Sequence, residues 1–130
     1  MTNSLKIERD GTILKVTFNR PEKKNAIDNP MWVGLRETFI EADADDNVRC
    51  ILLTGAGENF SAGVDLTSFG QSLLGDEHPF ESAARAVVDF SKPLITAVKG
   101  VAVGGGATIL FHADIVYVGK SLRMKLIISK

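Results

Sequence analysis

Two glycine-rich loops are the parts of this 130-residue chain best suited to chemistry, GAGENFSAG at residues 55–63 and GVAVGGGA at residues 100–107. Each loop follows an apolar, β-branched run that is typical of a strand. In an open α/β sheet, loops at the carboxyl ends of strands border the ligand crevice. Consecutive glycines ahead of a helix also leave peptide N–H groups unsatisfied and let an oxygen atom approach the backbone closely.

The two loops admit three interpretations: nucleotide binding, oxyanion binding and a purely structural role. The first loop begins like a dinucleotide fingerprint but has Phe60 at the third glycine position, and the second lacks the Lys-Ser or Lys-Thr of a P-loop. If residues 60–66 lie opposite the triple glycine, one backbone N–H from each loop could converge on a carbonyl oxygen as an oxyanion hole. Taken alone, the triple glycine is better explained by a tight turn and close helix–strand packing.

The elements that position these loops follow from hydrophobic periodicity. Alternating runs on both sides of Asp10-Gly11 predict a β-hairpin. A helix is predicted to begin with Asp28 or Asn29 as its cap and with Pro30 in its first turn. Its apolar face carries Trp32, Leu35, Phe39 and Ile40. Further predictions are strands at 48–54 (buried on both faces), 94–98 and 115–118, and helices at 65–69, 80–90 and 107–111. This alternation predicts a mostly parallel α/β sheet.

Composition and charge exclude several classes of function. Apolar residues are 45% and charged residues 24%, with a net charge of −1, so no basic stripe of a nucleic-acid-binding protein is present. The single cysteine, Cys50, forms no intrachain disulfide and is predicted to be a small buried core residue. No signal peptide is visible, and no apolar run approaches the roughly 20 residues that span a bilayer. We expect a cytoplasmic protein without nucleic-acid, membrane or metal partners.

Three segments together resemble the enoyl-CoA hydratase/isomerase, or crotonase, superfamily, in the family's order and at its spacing. They are NRPEKKNAI (19–27), TGAGENFSAGVDL (54–66) and KPLITAVKGVAVGGG (92–106), and ADIVY (113–117) resembles the strand that follows. The resemblance implies an α/β, crotonase-like (ClpP/crotonase) fold of β-β-α units. Residues 1–130 would form the N-terminal part of a single crotonase-like domain, without its C-terminal trimerisation helices.

What the resemblance implies for the site is a backbone oxyanion hole that holds an acyl-CoA thioester. Val64 matches the family's first N–H donor, and Gly105, the middle glycine, matches the second. Together they would polarise the thioester carbonyl and stabilise an enolate, each donor contributing about 3–4 kcal/mol in the transition state. Positions matching the CoA-lining segments are Lys24, Ala26, Ala62, Gly63, Asp65 and Leu66. Because CoA is part of the substrate, no separate cofactor is implied.

Two departures from the family pattern bear on the reaction. Hydratases of the family place a glutamate where this chain has Thr108, and threonine cannot act as a carboxylate base. Enoyl-CoA isomerases that shift Δ3 to Δ2 double bonds can lack this glutamate, and residues 65–69 (DLTSF) resemble their Asp-Leu-Thr-x-Phe pattern. Their own glutamate lies beyond the position of Tyr117, in a turn that this sequence does not reach. No other side chain is a convincing substitute base, and His78 is expected to face solvent.

The sequence therefore predicts an acyl-CoA-binding crotonase-like protein of fatty acid metabolism, an enoyl-CoA isomerase that works through an oxyanion-stabilised enolate. An atypical enoyl-CoA hydratase or another crotonase reaction is the first alternative. A non-catalytic acyl-CoA-binding or assembly module is the second, and a nucleotide-binding domain is a distant third. Because the family forms trimers and hexamers, the resemblance implies a homotrimer or hexamer for the full-length protein.

Overall fold

The chain folds into a mostly parallel sheet with two helices packed against it. The computed structural model describes residues 3–65, 78–104, 109–110 and 112–125. The strands in these ranges are β1 (Leu5–Asp10), β2 (Ile13–Phe18), β3 (Cys50–Gly55), β4 (Leu94–Val98), β5 (Val101–Val103), β6 (Ile115–Val118) and β7 (Arg123–Lys125). The α-helices are α1 (Asn29–Ala44) and α2 (Pro79–Asp89), and a 3-10 turn covers Pro21–Lys23.

The main sheet has the strand order β1-β2-β3-β4-β6. Strands β1 and β2 pair antiparallel around the Asp10-Gly11 turn, which confirms the predicted hairpin. Every other neighbouring pair in this sheet is parallel, as predicted from the alternation of strands and helices. Strands β5 and β7 form a separate parallel pair that was not predicted, because each has only three residues.

Both helices lie on the same face of the sheet. The β2-α1-β3 and β3-α2-β4 connections step across the sheet in the same direction, so right-handed crossovers place both helices on one side. Two edge-to-face ring pairs join the helices: Trp32 and Phe80 with centroids 4.9 Å apart, and Phe39 and Phe90 at 5.1 Å. The core between helices and sheet is therefore anchored by aromatic contacts as well as by aliphatic burial.

Helix α1 begins as its sequence predicts. The Asp28 carboxylate accepts a hydrogen bond from the Met31 N–H at 3.0 Å, and Pro30 occupies the first turn, where no N–H is needed. Trp32, Leu35 and Phe39 are buried, but Ile40 is 48% exposed, so its predicted place on the buried face is wrong. At about 100° per residue, Ile40 lies roughly 80° from Trp32 and farther from Leu35 and Phe39, outside the stripe that those three form.

The C-terminal end of α1 is held by a lysine from a distant part of the chain. The Lys92 ammonium donates to the carbonyl oxygens of Ala42 at 2.8 Å, Asp45 at 2.6 Å and Val48 at 2.7 Å. A cation at this end of a helix is favoured because the last carbonyls lack intrahelical partners. Lys92 lies two residues before β4, so this contact also restrains the distance between α1 and that strand.

Several local predictions need correction. Strand β3 begins at Cys50 rather than at Val48, and only alternate residues are fully buried, so burial on both faces was wrong. Cys50 is consequently half-buried, because it lies on the less covered face. His78 does not simply face solvent: its Nδ1 accepts from the Phe80 N–H at 3.0 Å and caps α2. Strands 94–98 and 115–118 are confirmed, whereas most residues of the predicted helices at 65–69 and 107–111 lie outside the described ranges.

Replacing Lys92 should measurably destabilise the fold. Lys92→Met keeps much of the aliphatic stem but leaves three carbonyl oxygens without their charged donor, so we expect the free energy of unfolding to fall by about 2 kcal/mol. Urea unfolding monitored by Trp32 fluorescence provides the measurement. Lys99→Met, at an exposed lysine, should change stability by less than ~0.5 kcal/mol. Equal effects of the two variants would contradict the stabilising role of the Lys92 hydrogen bonds.

Acid sensitivity should depend in part on Asp43. Hydrogen bonds from the Ser91 hydroxyl and the Ser91 N–H lower the pKa of the Asp43 carboxyl below its ordinary value of 3.8. A pKa lowered by folding adds stability that is present above the unfolded pKa and is lost as pH falls through the folded one. The Asp43→Asn variant should therefore lose less stability than wild type as the pH falls from about 5 to about 2. Thermal unfolding temperatures of both proteins over this pH range provide the measurement. An unchanged acid limb would refute this role.

Candidate functional site

A buried asparagine joins the two segments that carry most of the predicted site residues. Asn25 follows the 3-10 turn, is fully buried, and adopts a left-handed backbone conformation with φ of 57°. Asparagine tolerates this conformation better than most residues with a Cβ atom. Because the site is closed to water, every polar atom of Asn25 needs a partner within the protein.

The hydrogen-bond partners of Asn25 lie in the 19–27 segment and in the first glycine-rich loop. Its side-chain Oδ1 accepts from the Arg20 N–H at 2.8 Å, and its Nδ2 donates to the carbonyls of Ala56 at 2.9 Å and Asn59 at 2.8 Å. Its backbone N–H donates to the Arg20 carbonyl at 2.9 Å, and its carbonyl accepts from the Ser61 hydroxyl at 2.9 Å. One side chain therefore fixes the 19–27 segment against the first glycine-rich loop.

The first glycine of that loop makes this close approach possible. A Cβ atom on Gly55 would lie 2.3 Å from the Asn59 carbonyl oxygen and 2.9 Å from the Asn25 amide nitrogen. The same loop packs against Gly100, where a Cβ would lie 2.0 Å from the Glu58 carbonyl oxygen. These glycines serve the packing of loop against loop, which accords with the structural interpretation of glycine at these two positions.

Ser61 connects the first glycine-rich loop to the second. Its hydroxyl donates to Asn25 and accepts from the Gly63 N–H at 2.9 Å. Its backbone forms a parallel bridge with Ala102, through Ser61 N–H to the Val101 carbonyl and Val103 N–H to the Ser61 carbonyl, both at 3.0 Å. Strand β5 thus runs directly beside the first loop, and the triple glycine begins one residue after this strand ends.

The direction of the Val64 N–H is set by the bridge between Ile27 and Val64. The Ile27 N–H donates to the Gly63 carbonyl at 2.8 Å, and the Asp65 N–H donates to the Ile27 carbonyl at 2.9 Å. In a planar trans peptide the C=O and the following N–H point in opposite directions. The Val64 N–H therefore points away from Ile27, and no hydrogen-bond partner for it is found among the described residues.

The other predicted site residues that the structure describes lie near this bridge. Lys24 is exposed in a left-handed conformation, and its carbonyl accepts from the Ala62 N–H at 2.9 Å. Gly63 is buried with φ of 90°, which favours glycine. Ala26 is half-buried beside them. Gly105, Leu66 and Thr108 lie outside the described residues, so the structure gives no position for the second oxyanion donor.

Asp65 is the best-anchored member of the predicted set. Its carboxylate accepts from Arg20 Nη1 at 2.7 Å, and the two side chains are only 15% and 18% exposed. The same nitrogen donates to the Ala26 carbonyl at 3.1 Å. Sequence analysis missed Arg20, Asn25 and Ser61 as framework residues. Asn25 could have been identified from the sequence, because an asparagine shortly after a turn that begins with proline is a position where a left-handed conformation is expected.

The described ranges contain neither a candidate metal site nor a candidate membrane-spanning helix, but they do contain an open groove. No group of three or more metal-ligating side chains that could hold a metal ion occurs among the described residues. None of the helices there has the length and apolar composition of a membrane-spanning segment. An open groove beside Lys24 is lined by Glu58, Asn59, Lys99 and Gly100, which places two lysines at its rim.

Comparison with known proteins decides the family. Residues 8–127 match the family model described as enoyl-CoA hydratase/isomerase. The chain belongs to the enoyl-CoA hydratase/isomerase family. A solved enoyl-CoA hydratase/isomerase from Pseudoalteromonas atlantica T6c superposes with a TM-score of 0.88 at 33% identity, covering 94% of this chain and 49% of that one. The resemblance and the crotonase-like fold predicted from the sequence are thereby confirmed.

Individual relatives of this family member carry different activities in their names. A 1,2-epoxyphenylacetyl-CoA isomerase from Escherichia coli K12 is 36% identical over 91% of this chain and 48% of its own length. Enoyl-CoA hydratase EchA19 from Mycobacterium tuberculosis is 38% identical over 90% and 47%. Enoyl-CoA delta isomerase 2 from Rattus norvegicus is 39% identical over 85% and 30%. The chain spans about half the length, or less, of these relatives.

Changing the Asn25 amide should disrupt the whole loop assembly. Asn25→Asp preserves shape but sets a carboxylate oxygen against the carbonyls of Ala56 and Asn59, so we expect a loss of at least ~3 kcal/mol in unfolding free energy. Urea denaturation measures it. The matched variant Asn47→Asp alters an exposed asparagine and should change stability by under ~0.5 kcal/mol. A similarly small effect at Asn25 would refute its central role.

Proposed function

We propose that the protein binds an enoyl-CoA thioester and shifts its double bond from Δ3 to Δ2 through an enolate. The observation that carries the proposal is the Val64 N–H, which the bridge directs away from Ile27. A donor held in a fixed direction stabilises negative charge on a carbonyl oxygen without reorganising during the reaction. Membership of the enoyl-CoA hydratase/isomerase family supports the substrate class.

In the proposed reaction the thioester oxygen accepts from the N–H groups of Val64 and, by the family pattern, Gly105. A carboxylate base removes a proton from C2, the electron pair of the C2–H bond delocalises, and the thioester oxygen becomes an enolate. The enolate oxygen then re-forms the thioester carbonyl and the C1–C2 electron pair forms a C2–C3 double bond. The C3–C4 π electrons take the proton at C4, which leaves the C3–C4 bond single. Asp65 is not assigned as this base, because its carboxylate is engaged by Arg20. By the family pattern, the isomerase glutamate follows the position of Tyr117.

The coenzyme part of the substrate fits the loop surface around Lys24. The exposed Lys24 and Lys99 at the rim of one groove offer positive charge suited to the phosphates of CoA. The Lys24 carbonyl accepts a hydrogen bond from the Ala62 N–H, which joins two of the predicted CoA-lining segments. We also propose, from the family alone, a cytoplasmic homotrimer or hexamer, which sedimentation analysis would test.

Hydration is the second candidate, because relatives named enoyl-CoA hydratase and carnitinyl-CoA dehydratase match as well as the isomerases do. Thr108 argues against it, since the water-adding enzymes use a glutamate at that position. Incubating the purified protein with a 3-enoyl-CoA and a 2-enoyl-CoA, followed by chromatographic separation of the isomers and mass spectrometry, separates the alternatives. Isomerisation leaves the mass unchanged and moves the double bond, whereas hydration adds one water. Tight binding without either product would support a non-catalytic binding module.

A pair of Val64 variants tests the oxyanion donor itself. Val64→Pro removes the N–H, while the two hydrogen bonds of the bridge use Gly63 O and Asp65 N–H and remain available. We expect the isomerisation rate to fall by about 10²–10³-fold. Val64→Ala keeps the N–H and should stay within a few-fold of wild type. Equal loss in both variants would mean that the side chain, and not the N–H, matters.

A further inference from the structure

Arg20 holds together the two segments on which the proposed acyl site depends. One terminal nitrogen, Nη1, donates to the Ala26 carbonyl at 3.1 Å and to the Asp65 carboxylate at 2.7 Å. The Asp28 carboxylate lies 3.9 Å from the same nitrogen. The guanidinium therefore bridges a residue predicted to line CoA and the residue that follows the predicted oxyanion donor.

Asp65 is constrained at both its backbone and its side chain. Its N–H donates to the Ile27 carbonyl at 2.9 Å, and its carboxylate is held by Arg20. The Arg20 contact therefore adds a side-chain constraint to the backbone one at the Asp65 end of the bridge, at the residue that directly follows Val64.

This ion pair is more shielded from water than the exposed ion pairs among the described residues. The Arg20 and Asp65 side chains are 18% and 15% exposed, whereas those of Arg9 and Asp45, which pair at 2.6 Å, are 47% and 36% exposed. Water and salt screen an exposed pair, and such pairs contribute little. A shielded pair with two acceptors on one nitrogen instead fixes geometry, because charge-assisted hydrogen bonds are short and directional.

We propose that Arg20 and Asp65 are positioning residues that hold the Val64 N–H in line with the thioester carbonyl. This inference rests on the proposed function, since it assigns the pair a role in carbonyl recognition. Neither side chain needs to contact the reacting atoms. The pair acts through the bridge, so its loss should weaken recognition of the carbonyl oxygen more than recognition of the CoA moiety.

Two ligands that differ at the carbonyl provide the test: an acyl-CoA thioester and the corresponding S-alkyl-CoA thioether, which has no carbonyl oxygen. Isothermal titration gives both dissociation constants for wild type, Arg20→Met, Asp65→Asn and Arg20→Lys. We expect Arg20→Met and Asp65→Asn to weaken thioester binding about tenfold more than thioether binding. Arg20→Lys should recover part of the difference, because lysine can still reach Asp65. The exposed-pair control Arg9→Met should change neither constant.

Each other outcome has a definite meaning. Equal weakening of both ligands in folded Arg20→Met and Asp65→Asn proteins would overturn the positioning role and leave a structural one. Unchanged binding in both variants would overturn it as well. Wild-type protein that binds neither ligand, or that does not distinguish them, would instead refute the proposed function. If Arg20→Met fails to fold, the isosteric Asp65→Asn decides the question by the same ratio of constants.

Discussion

The buried amide of Asn25 is the constraint on which the arrangement of the loops depends. A side chain sealed from water must satisfy each polar atom internally, and that of Asn25 does so with Arg20, Ala56 and Asn59, while its backbone carbonyl accepts from the Ser61 hydroxyl. Backbone carbonyls accept its amide hydrogens, so the shape of the first glycine-rich loop is specified by hydrogen bonding as much as by apolar packing. Gly55 leaves the space in which these groups meet.

A short series of hydrogen-bonded peptide groups connects Asn25 to the proposed acyl site. Ser61 joins the anchored loop to β5, and Gly63 is held by the Ser61 hydroxyl and by Ile27. Because a peptide is planar, fixing the Gly63 carbonyl also fixes the Val64 N–H. A donor assembled in this way depends on the sheet and both loops together, and its own side chain has little part in it.

Strand β6, at the outer edge of the described sheet, is much more exposed to solvent than the central strand β3. In β6, Ile115, Tyr117 and Val118 are 48%, 63% and 57% exposed, whereas Ile51 and Leu53 in β3 are fully buried. Exposed apolar side chains on an outer strand favour association with further protein surface. The stability of the described fold thus rests on β2, β3 and β4 with α1 and α2, where sheet and helices bury each other.

The sequence by itself determined the hairpin, the start of α1, the strands at 94–98 and 115–118, the parallel sheet and the family, because periodicity, capping and motif spacing are local properties. It also marked Val64 and Lys24 through their places in the motifs. Only the tertiary structure decided which way the Val64 N–H points, that Arg20 pairs with Asp65 across 45 positions of sequence, and that Ile40 stays exposed. These features depend on which segments meet in space, and contacts between distant segments leave no local pattern in the chain.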